Sequence, residues 1–533
     1  MNHGSKAEPS RGGRGVAFFL VVALAGGFVL AVPPHASEIS FSMSVPVEEL
    51  FAILGPGPLP PPHPIARQFH SRLKAATVED AVDRCVEDNM AALDAPGATV
   101  AVILDGELLY EHGYGVKRRN WGDQVDADTV FRIGSVTKQM TAAVVMQQVE
   151  LGRVELGAPV TRYVPEFALS GKWSADRITL WHLLTHTSAF PDHIQNGLGQ
   201  DDGALSRWAA AQDEMELHAL PGSFWNYSNP NFMLAGLVAE RASGTPYRDL
   251  YRESLWNPAG MSNTTFDANE VIRRGNFSYG HYYDGEEDRE YILSPLDNDF
   301  WASGPAGYAF STAGDLVHWA LLLMDGGGPV LSPASAAKMQ ERQVWTNYTP
   351  DLDYGFGIMA DRYRGLDIRQ HGGNVAGYGA YLLWVPERRF AVALLSNVTS
   401  SLTDAAYCVV DEVLQPPPAQ PQDLSTDPST WLRYRGHYDV TTSEAEAIDA
   451  EVFFDDGNFM ITVTESANPF NTLTAELEQL YLDTFAFDAD GNGSLDQALT
   501  FCSGPGKPAP VHWLRDRHAV GTRRPTPRRA RRR

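Results

Sequence analysis

Apolar and polar positions follow two different periods along this chain, and the changes of period mark its parts. From Val78 to Leu93, the residues Ala81, Val82, Cys85, Val86 and Met90 fall on one side of a helical wheel, which predicts a helix. Ala98–Leu104 and Glu107–Tyr114 read as strands around Asp105-Gly106, a strong hairpin signal. Thr129–Ile133 reads as a short extended run and Gly134 as a turn. Met140, Val144, Val145 and Val149 then form the apolar stripe of a helix that starts near Ser135. From 136 to about 320 the pattern is mostly helix and loop, including Trp181–Thr185 and the amphipathic Phe232–Ala242. Gly379–Val385 and Phe390–Ser396 bracket Pro386-Glu387-Arg388-Arg389 as a second hairpin, and Leu402–Leu414 closes the region as a helix. Strands at both ends with helices inserted between them predict one α/β (α+β) domain, residues 76–415, whose ends meet.

Proline punctuates the rest. A Pro-rich stretch within 38–75, running from Gly55 to Pro64, reads as a stiff linker, and 416–430 reads as a second linker. Beyond it, 431–515 shows short strand-like runs such as Glu451–Phe454, Phe459–Thr464 and Thr484–Phe487. These predict a small β-barrel or sandwich. Residues 516–533 read as a basic, disordered tail that also allows a clamp on anionic lipid or cell-wall polymer.

Charge narrows the partners. The chain has 533 residues and a formal net charge of −24. Nine arginines and one aspartate lie from Arg515 onward, so the body is more acidic still. Phosphates would be repelled, which argues against a nucleic-acid partner. Lys6, Arg11 and Arg14 precede the apolar run Val16–Val32, and residues 1–37 therefore read as an export signal, or as a membrane anchor if uncleaved. The expected location is periplasmic or extracellular.

The candidate chemistry lies in three short motifs. Ser-x-x-Lys occurs at Ser71–Lys74, Ser135–Lys138 and Ser335–Lys338, but only the middle copy sits between a strand-like run and a helix. Ser71 lies in a polar stretch and Ser335 in a loop-like Pro/Ala segment. A serine hydroxyl is a poor nucleophile until a neighbour takes its proton. A lysine one turn on shares its helix face and can do so as the neutral amine, which an arginine cannot. Tyr227-Ser228-Asn229 adds a second hydroxyl for proton shuttling and an amide that braces Lys138 or donates to a substrate carbonyl. His371-Gly372-Gly373 adds a group for the far end of a substrate. If that end is a carboxylate, a protonated imidazole is expected, with capture weakening above about pH 7. The backbone amides of Ser135 and Asn374 are candidates for an oxyanion hole.

Together these motifs resemble those of the serine β-lactamase-like, penicillin-recognising family, which takes in class C β-lactamases, DD-carboxypeptidases, D-aminopeptidases and related esterases. Pro96–Gly115 resembles the family's opening hairpin. Leu183-Leu184-Thr185-His186-Thr187-Ser188, Ser311–Leu316 and Tyr354-Gly355-Phe356-Gly357 resemble later landmarks. The resemblance covers about 75–415. It implies a β-lactamase/transpeptidase-like domain: an antiparallel sheet flanked by helices plus an all-helical lobe, with the site between them. In that fold the helices carrying Cys85 and Cys408 lie side by side, and export would permit a disulfide between them. Tyr434-Arg435-Gly436-His437-Tyr438 resembles the start of the β-barrel appended to peptidase-like members. His371 stands where class C β-lactamases usually carry lysine, which favours the peptidase branches.

Two metal patterns compete with this reading. His182 and His186 have a zinc spacing, with His193 nearby, but no glutamate lies between them and the resemblance accounts for His186. Asp488–Ser494 resembles half a calcium loop, but Leu499 stands where a bidentate glutamate is needed, so a β-turn is expected. No metal and no cofactor are expected. The reading is an exported serine hydrolase that forms an acyl-enzyme on Ser135 and takes a small peptide or ester, foremost D-amino-acid peptides. A carboxylesterase or weak β-lactamase with the same site is the alternative among enzymes, and a non-catalytic penicillin-binding-like sensor the alternative from another class.

Overall fold

The computed structural model describes residues 77–524 apart from 194–197, 285–287, 298, 350, 419–427, 443–446, 456–457, 467–471, 482–483, 488–496, 503–510, 512 and 516–518. All of them belong to one compact unit, Ala75–Arg533. The N-terminal apolar run, the first Pro-rich linker, the Ser71–Lys74 pair, the Asp488–Ser494 loop and the final residues 525–533 lie outside the described residues.

The main sheet has eight antiparallel strands: β1 (Gly97–Leu104), β2 (Glu107–Gly115), β3 (Val344–Trp345), β4 (Asp353–Tyr354), β5 (Met359–Tyr363), β6 (Leu366–Val375), β7 (Tyr378–Val385) and β8 (Phe390–Ser396). Their order is β2-β1-β8-β7-β6-β5-β4-β3, so the first and last long strands of the domain pair in the middle of the sheet. The β1–β2 turn places Asp105 at φ 53° and Gly106 at φ 86°. A two-residue turn of matching twist needs positive φ at both positions, which is why Asp-Gly forms it.

Alternation along the central strands feeds two cores. Val100, Val102, Leu383, Val392 and Leu394 face one side and pack on α1 (Val78–Ala92) and a closing helix, Thr403–Leu414. Ala101, Leu382, Trp384, Ala391 and Ala393 face the other side and join the core of the helical lobe. Helix α1 starts on a capping box between Thr77 and Asp80. A Cys85–Cys408 disulfide ties it to Thr403–Leu414, across 323 residues of sequence. The lobe is built around α2 (Thr137–Glu150), whose buried residues include the polar Lys138, Gln139 and Thr141. A helix buried on nearly every side shows almost no amphipathic stripe. Packed on α2 is α3 (Asn229–Ser243), which ends on Gly244 in the left-handed conformation.

The C-terminal region is a second sheet: β9 (Gly436–Thr442), β10 (Ala447–Asp455), β11 (Asn458–Glu465), β12 (Thr472–Glu476), β13 (Glu478–Tyr481), β14 (Thr484–Phe487), β15 (Gln497–Cys502), β16 (Trp513–Arg515) and β17 (Ala519–Arg523). The order is β12-β11-β10-β9-β17-β16-β15-β14-β13. Its two edges, β12 and β13, are consecutive and separated only by Leu477, so the meander closes on itself as an up-and-down barrel. Tyr434, Tyr438, Phe459, Phe485 and Phe501 fill it.

Two expectations are corrected. The basic tail was expected to begin at 516, yet Ala519–Arg523 is the strand that closes the barrel against β9. Its arginine-rich surroundings hide the buried Val520 from a periodicity reading. The Pro/Ala segment around Ser335 is a helix, Pro333–Gln340, with proline in its first turn.

Candidate active site

The position of Ser135, the candidate nucleophile, follows from one sharp turn. After the two-residue strand Phe131–Arg132, Gly134 adopts φ 49°, and the chain passes through a 3-10 turn, Gly134–Val136, into α2. Ser135 is thereby set at the helix start, with Lys138 a turn further on. Lys138 is fully buried. Its Nζ lies 2.9 Å from Ser135 Oγ, 2.7 Å from Asn229 Oδ1 and 2.6 Å from the Ala306 carbonyl oxygen. Nζ donates to all three oxygens, and loss of one proton would turn a lone pair toward the serine hydroxyl. The face of Tyr227 lies 4.8 Å from Nζ.

Tyr227 and Asn229 arrive together at the start of α3. Tyr227 is packed over His186, with ring centroids 4.3 Å apart. The Asn229 amide is oriented by Asp192, whose Oδ1 accepts from the Asn229 backbone N at 2.7 Å and from Nδ2 at 3.1 Å. That leaves Oδ1 of Asn229 for Lys138, and only the second Nδ2 hydrogen for a substrate carbonyl. Asp192 was not anticipated from the sequence. No local pattern marks it, because its partner lies 37 residues away.

His371-Gly372-Gly373 lies on β6, next to the serine turn. A Cβ on Gly373 would stand 2.1 Å from the Ile133 carbonyl oxygen and 2.9 Å from Ser135 N, and one on Gly134 would stand 2.6 Å from Asn374 N. The backbones of the two segments thus touch, and the amides of Ser135 and Asn374 flank one space that side chains would fill. His371 borders the cleft but is only 2% exposed. Its Nδ1 is 2.6 Å from the Gly372 carbonyl oxygen and its Nε2 is 3.1 Å from the Tyr354 hydroxyl. Burial, and then the neighbouring Tyr227, hold the Tyr354 phenol well above the ordinary tyrosine pKa, so it keeps its proton and can donate to Nε2. Nδ1 can donate to the Gly372 carbonyl while Nε2 meets the Tyr354 hydroxyl, which can serve as donor or acceptor.

Ser135, Tyr227, Asn229, His371 and Asn374 line one cleft of about 460 Å³, together with Trp225, Tyr308 and Tyr348. Lys138 sits behind Ser135. The other candidates lie elsewhere. Lys338 pairs with Glu341 at 2.7 Å on the surface. The His182 ring folds back on Thr179 at its own helix start, and His186 Nδ1 accepts from the Ser228 backbone. Among the described residues no group of three His, Cys, Asp or Glu side chains is placed to hold a metal ion.

Known proteins resemble this chain over the same region. A family model described as Beta-lactamase matches residues 82–412. The unguisins hydrolase ungD' of Aspergillus campestris is 31% identical over 340 residues, 61% of this chain and 63% of its own length. This chain thus spans less than two thirds of that relative. Penicillin-binding protein 4 of Amycolatopsis lactamdurans is 30% identical over 354 residues, 62% of this chain and 91% of its own. The crystal structure of SurE, also determined with D-Leu, superposes with a TM-score of 0.64 at 23% identity, covering 84% of this chain and 99% of SurE. That coverage reaches past residue 412, so the likeness in fold includes the C-terminal sheet.

Proposed function

Because the chain belongs to the beta-lactamase family, and is accordingly a serine hydrolase, we propose that it cleaves amide bonds in peptides that contain D-amino acids, through an acyl-enzyme on Ser135. The observation that carries this reading is the 2.9 Å contact between Lys138 Nζ and Ser135 Oγ, which puts a proton acceptor, once the amine is neutral, directly beside the hydroxyl. Ser135 Oγ passes its proton to Lys138 and attacks the carbonyl carbon. The oxyanion is met by the backbone amides of Ser135 and Asn374. As the tetrahedral species collapses, the C–N bond breaks and the departing amine takes a proton from Lys138 by way of the Tyr227 hydroxyl. Water, deprotonated by the same pair, then attacks the ester carbon and frees Ser135. Asn229 and His371 hold Lys138 and Tyr227 in place.

The choice of substrate rests on His371-Gly372-Gly373 in place of a lysine motif, on the hydrolase name of one relative and on the D-Leu bound by SurE. We also place the enzyme outside the cytoplasm. The Cys85–Cys408 disulfide supports that location, because such bonds persist in oxidising compartments.

A fluorescent penicillin should label the wild type and not Ser135→Ala, and Lys138→Met should slow labelling by about 10³-fold. D-alanyl-p-nitroanilide should be hydrolysed at least as well as p-nitrophenyl butyrate. Turnover of the ester alone would replace the D-peptide reading with an esterase. Equal labelling of the Ser135→Ala variant would remove Ser135 from the chemistry. A wild type with neither turnover nor an acyl adduct by intact mass would leave the sensor.

A further inference from the structure

One buried guanidinium in the C-terminal barrel has no role in the fold described so far. Arg515, on β16, is 1% exposed. Among the described residues no carboxylate lies within ion-pair distance of it, and its Nη1 has no hydrogen-bond partner. Burying such a charge costs several kcal/mol, and a hydrophobic side chain of similar volume would fill the space without that cost.

What it touches explains its retention. Nη2 donates to the Thr346 carbonyl oxygen, and Nε lies 3.3 Å from the Cys502 sulfur. The guanidinium carbon lies 4.8 Å from the Tyr348 ring centre and 5.3 Å from that of Trp225. Tyr348 and Trp225 pack edge to face, 5.4 Å apart, and both line the cleft that holds Ser135. They come from two separate segments, the loop after β3 and the stretch before α3. Around this contact the barrel seats on the lobe through Trp513, Cys502 and Val520 against Ala189, Ala219 and Phe224. A planar fork can bond one loop's backbone while its flat face rests on two aromatic rings; a lysine ammonium cannot do both.

We propose that Arg515 is a positioning residue supplied by the barrel, which fixes Trp225 and Tyr348 as one wall of the substrate cleft and so sets which bulky substituents the hydrolase accepts. The barrel is therefore part of the specificity apparatus, although none of its described residues lines the cleft. The proposal rests on the reading of that cleft as the acyl-transfer site.

The test compares wild type with Arg515→Met, and with Arg515→Lys should the methionine variant not fold. Two readouts are taken on the full chain. In steady-state hydrolysis, the ratio of kcat/KM for p-nitrophenyl phenylacetate to that for p-nitrophenyl acetate should fall about tenfold in Arg515→Met and about threefold in Arg515→Lys, with the change carried by KM. In amide hydrogen exchange, the segments 222–227 and 344–349 should exchange several-fold faster than in wild type. An unchanged ester ratio, or an equal loss on both esters carried by kcat, overturns the proposal. So does unchanged exchange in both segments. If the wild type hydrolyses neither ester, the ratio is taken on D-alanyl-p-nitroanilide and D-phenylalanyl-p-nitroanilide instead; if it turns over none of these substrates and forms no acyl adduct, the hydrolase reading falls, and the exchange measurement alone decides whether Arg515 holds the wall.

Discussion

One carboxylate oxygen of Asp192 accepts two hydrogen bonds from Asn229, from its backbone N and from its side-chain amide. The first bond caps the N-terminal end of α3, and the second decides which way the amide faces. With Nδ2 turned to Asp192, Oδ1 is turned to Lys138. Removing the carboxylate frees the amide to rotate and point a donor at the amine. Asp192→Ala is expected to lower kcat by about 10- to 100-fold and to destabilise the fold by about 1 kcal/mol through the lost cap. Asp192→Asn keeps an acceptor in place and should retain most of the activity. Steady-state rates on the hydrolysed substrate, with urea midpoints alongside, would check this. Equal loss in both variants would show that charge, rather than orientation, is what Asp192 contributes.

Gly373 leaves room where the serine turn meets β6. Its Cβ as alanine would stand 2.1 Å from the Ile133 carbonyl oxygen and 2.9 Å from Ser135 N, so strand and turn must separate. The pair of amides then no longer converges. Gly373→Ala is expected to cost on the order of 100-fold in kcat, measured by the rate of acylation with a fluorescent penicillin. An acylation rate within threefold of wild type would mean the oxyanion is held elsewhere.

The disulfide joins two helices that cover the same face of the sheet but come from opposite ends of the domain. Cys85→Ala with Cys408→Ala should reduce stability by about 2–4 kcal/mol, seen as a lower urea midpoint, while activity of the folded protein stays near wild type. Reducing agent should reproduce the shift in wild type and have no effect on the double variant. A midpoint that ignores reductant would show that packing alone holds the two helices.

Acid should loosen the barrel's seat. His218 lies in the loop that presents Ala219 to the barrel, and burial lowers its pKa from 6.5 to about 4. The unfolded chain therefore binds this proton near pH 6.5, and the folded protein only near pH 4. Between those values the unfolded state holds more protons, so stability falls as the pH drops from about 6.5 to 4 and levels off below. The interval corresponds to at most about 3 kcal/mol. Urea midpoints at pH 7 and 4.5 should converge in His218→Gln relative to wild type. Parallel losses in the two proteins would place the acid sensitivity elsewhere.

Much of the catalytic domain was readable from local pattern, for physical reasons. Hairpins at Asp105-Gly106 and at Pro386–Arg389, and the helices on either side of the sheet, announce themselves through turn chemistry and period. Ser135 and Lys138 are a turn apart on one helix, so their proximity is a local fact. Strand β6 was not identified, because His371-Gly372-Gly373-Asn374 offers neither β-branched residues nor alternation. Its glycines serve contact with the serine turn, a tertiary demand. Asp192 escaped for the same reason, and so did the contact of His371 with Tyr354, which reaches it across the sheet. Arg515 looked like the first of a run of terminal arginines, and only the barrel's closure shows it facing inward.

That closure sets an order on synthesis. Strand β9 leaves the ribosome well before β17, its partner along the seam, and waits with a bare row of amides and carbonyls that invites other strands. The main sheet and the helical lobe, which end at Leu414, are by then already synthesised. A nascent or prematurely terminated chain lacking 519–523 would thus carry a sticky flank, and if Arg515 acts as proposed, selectivity would be the last of the protein's properties to mature.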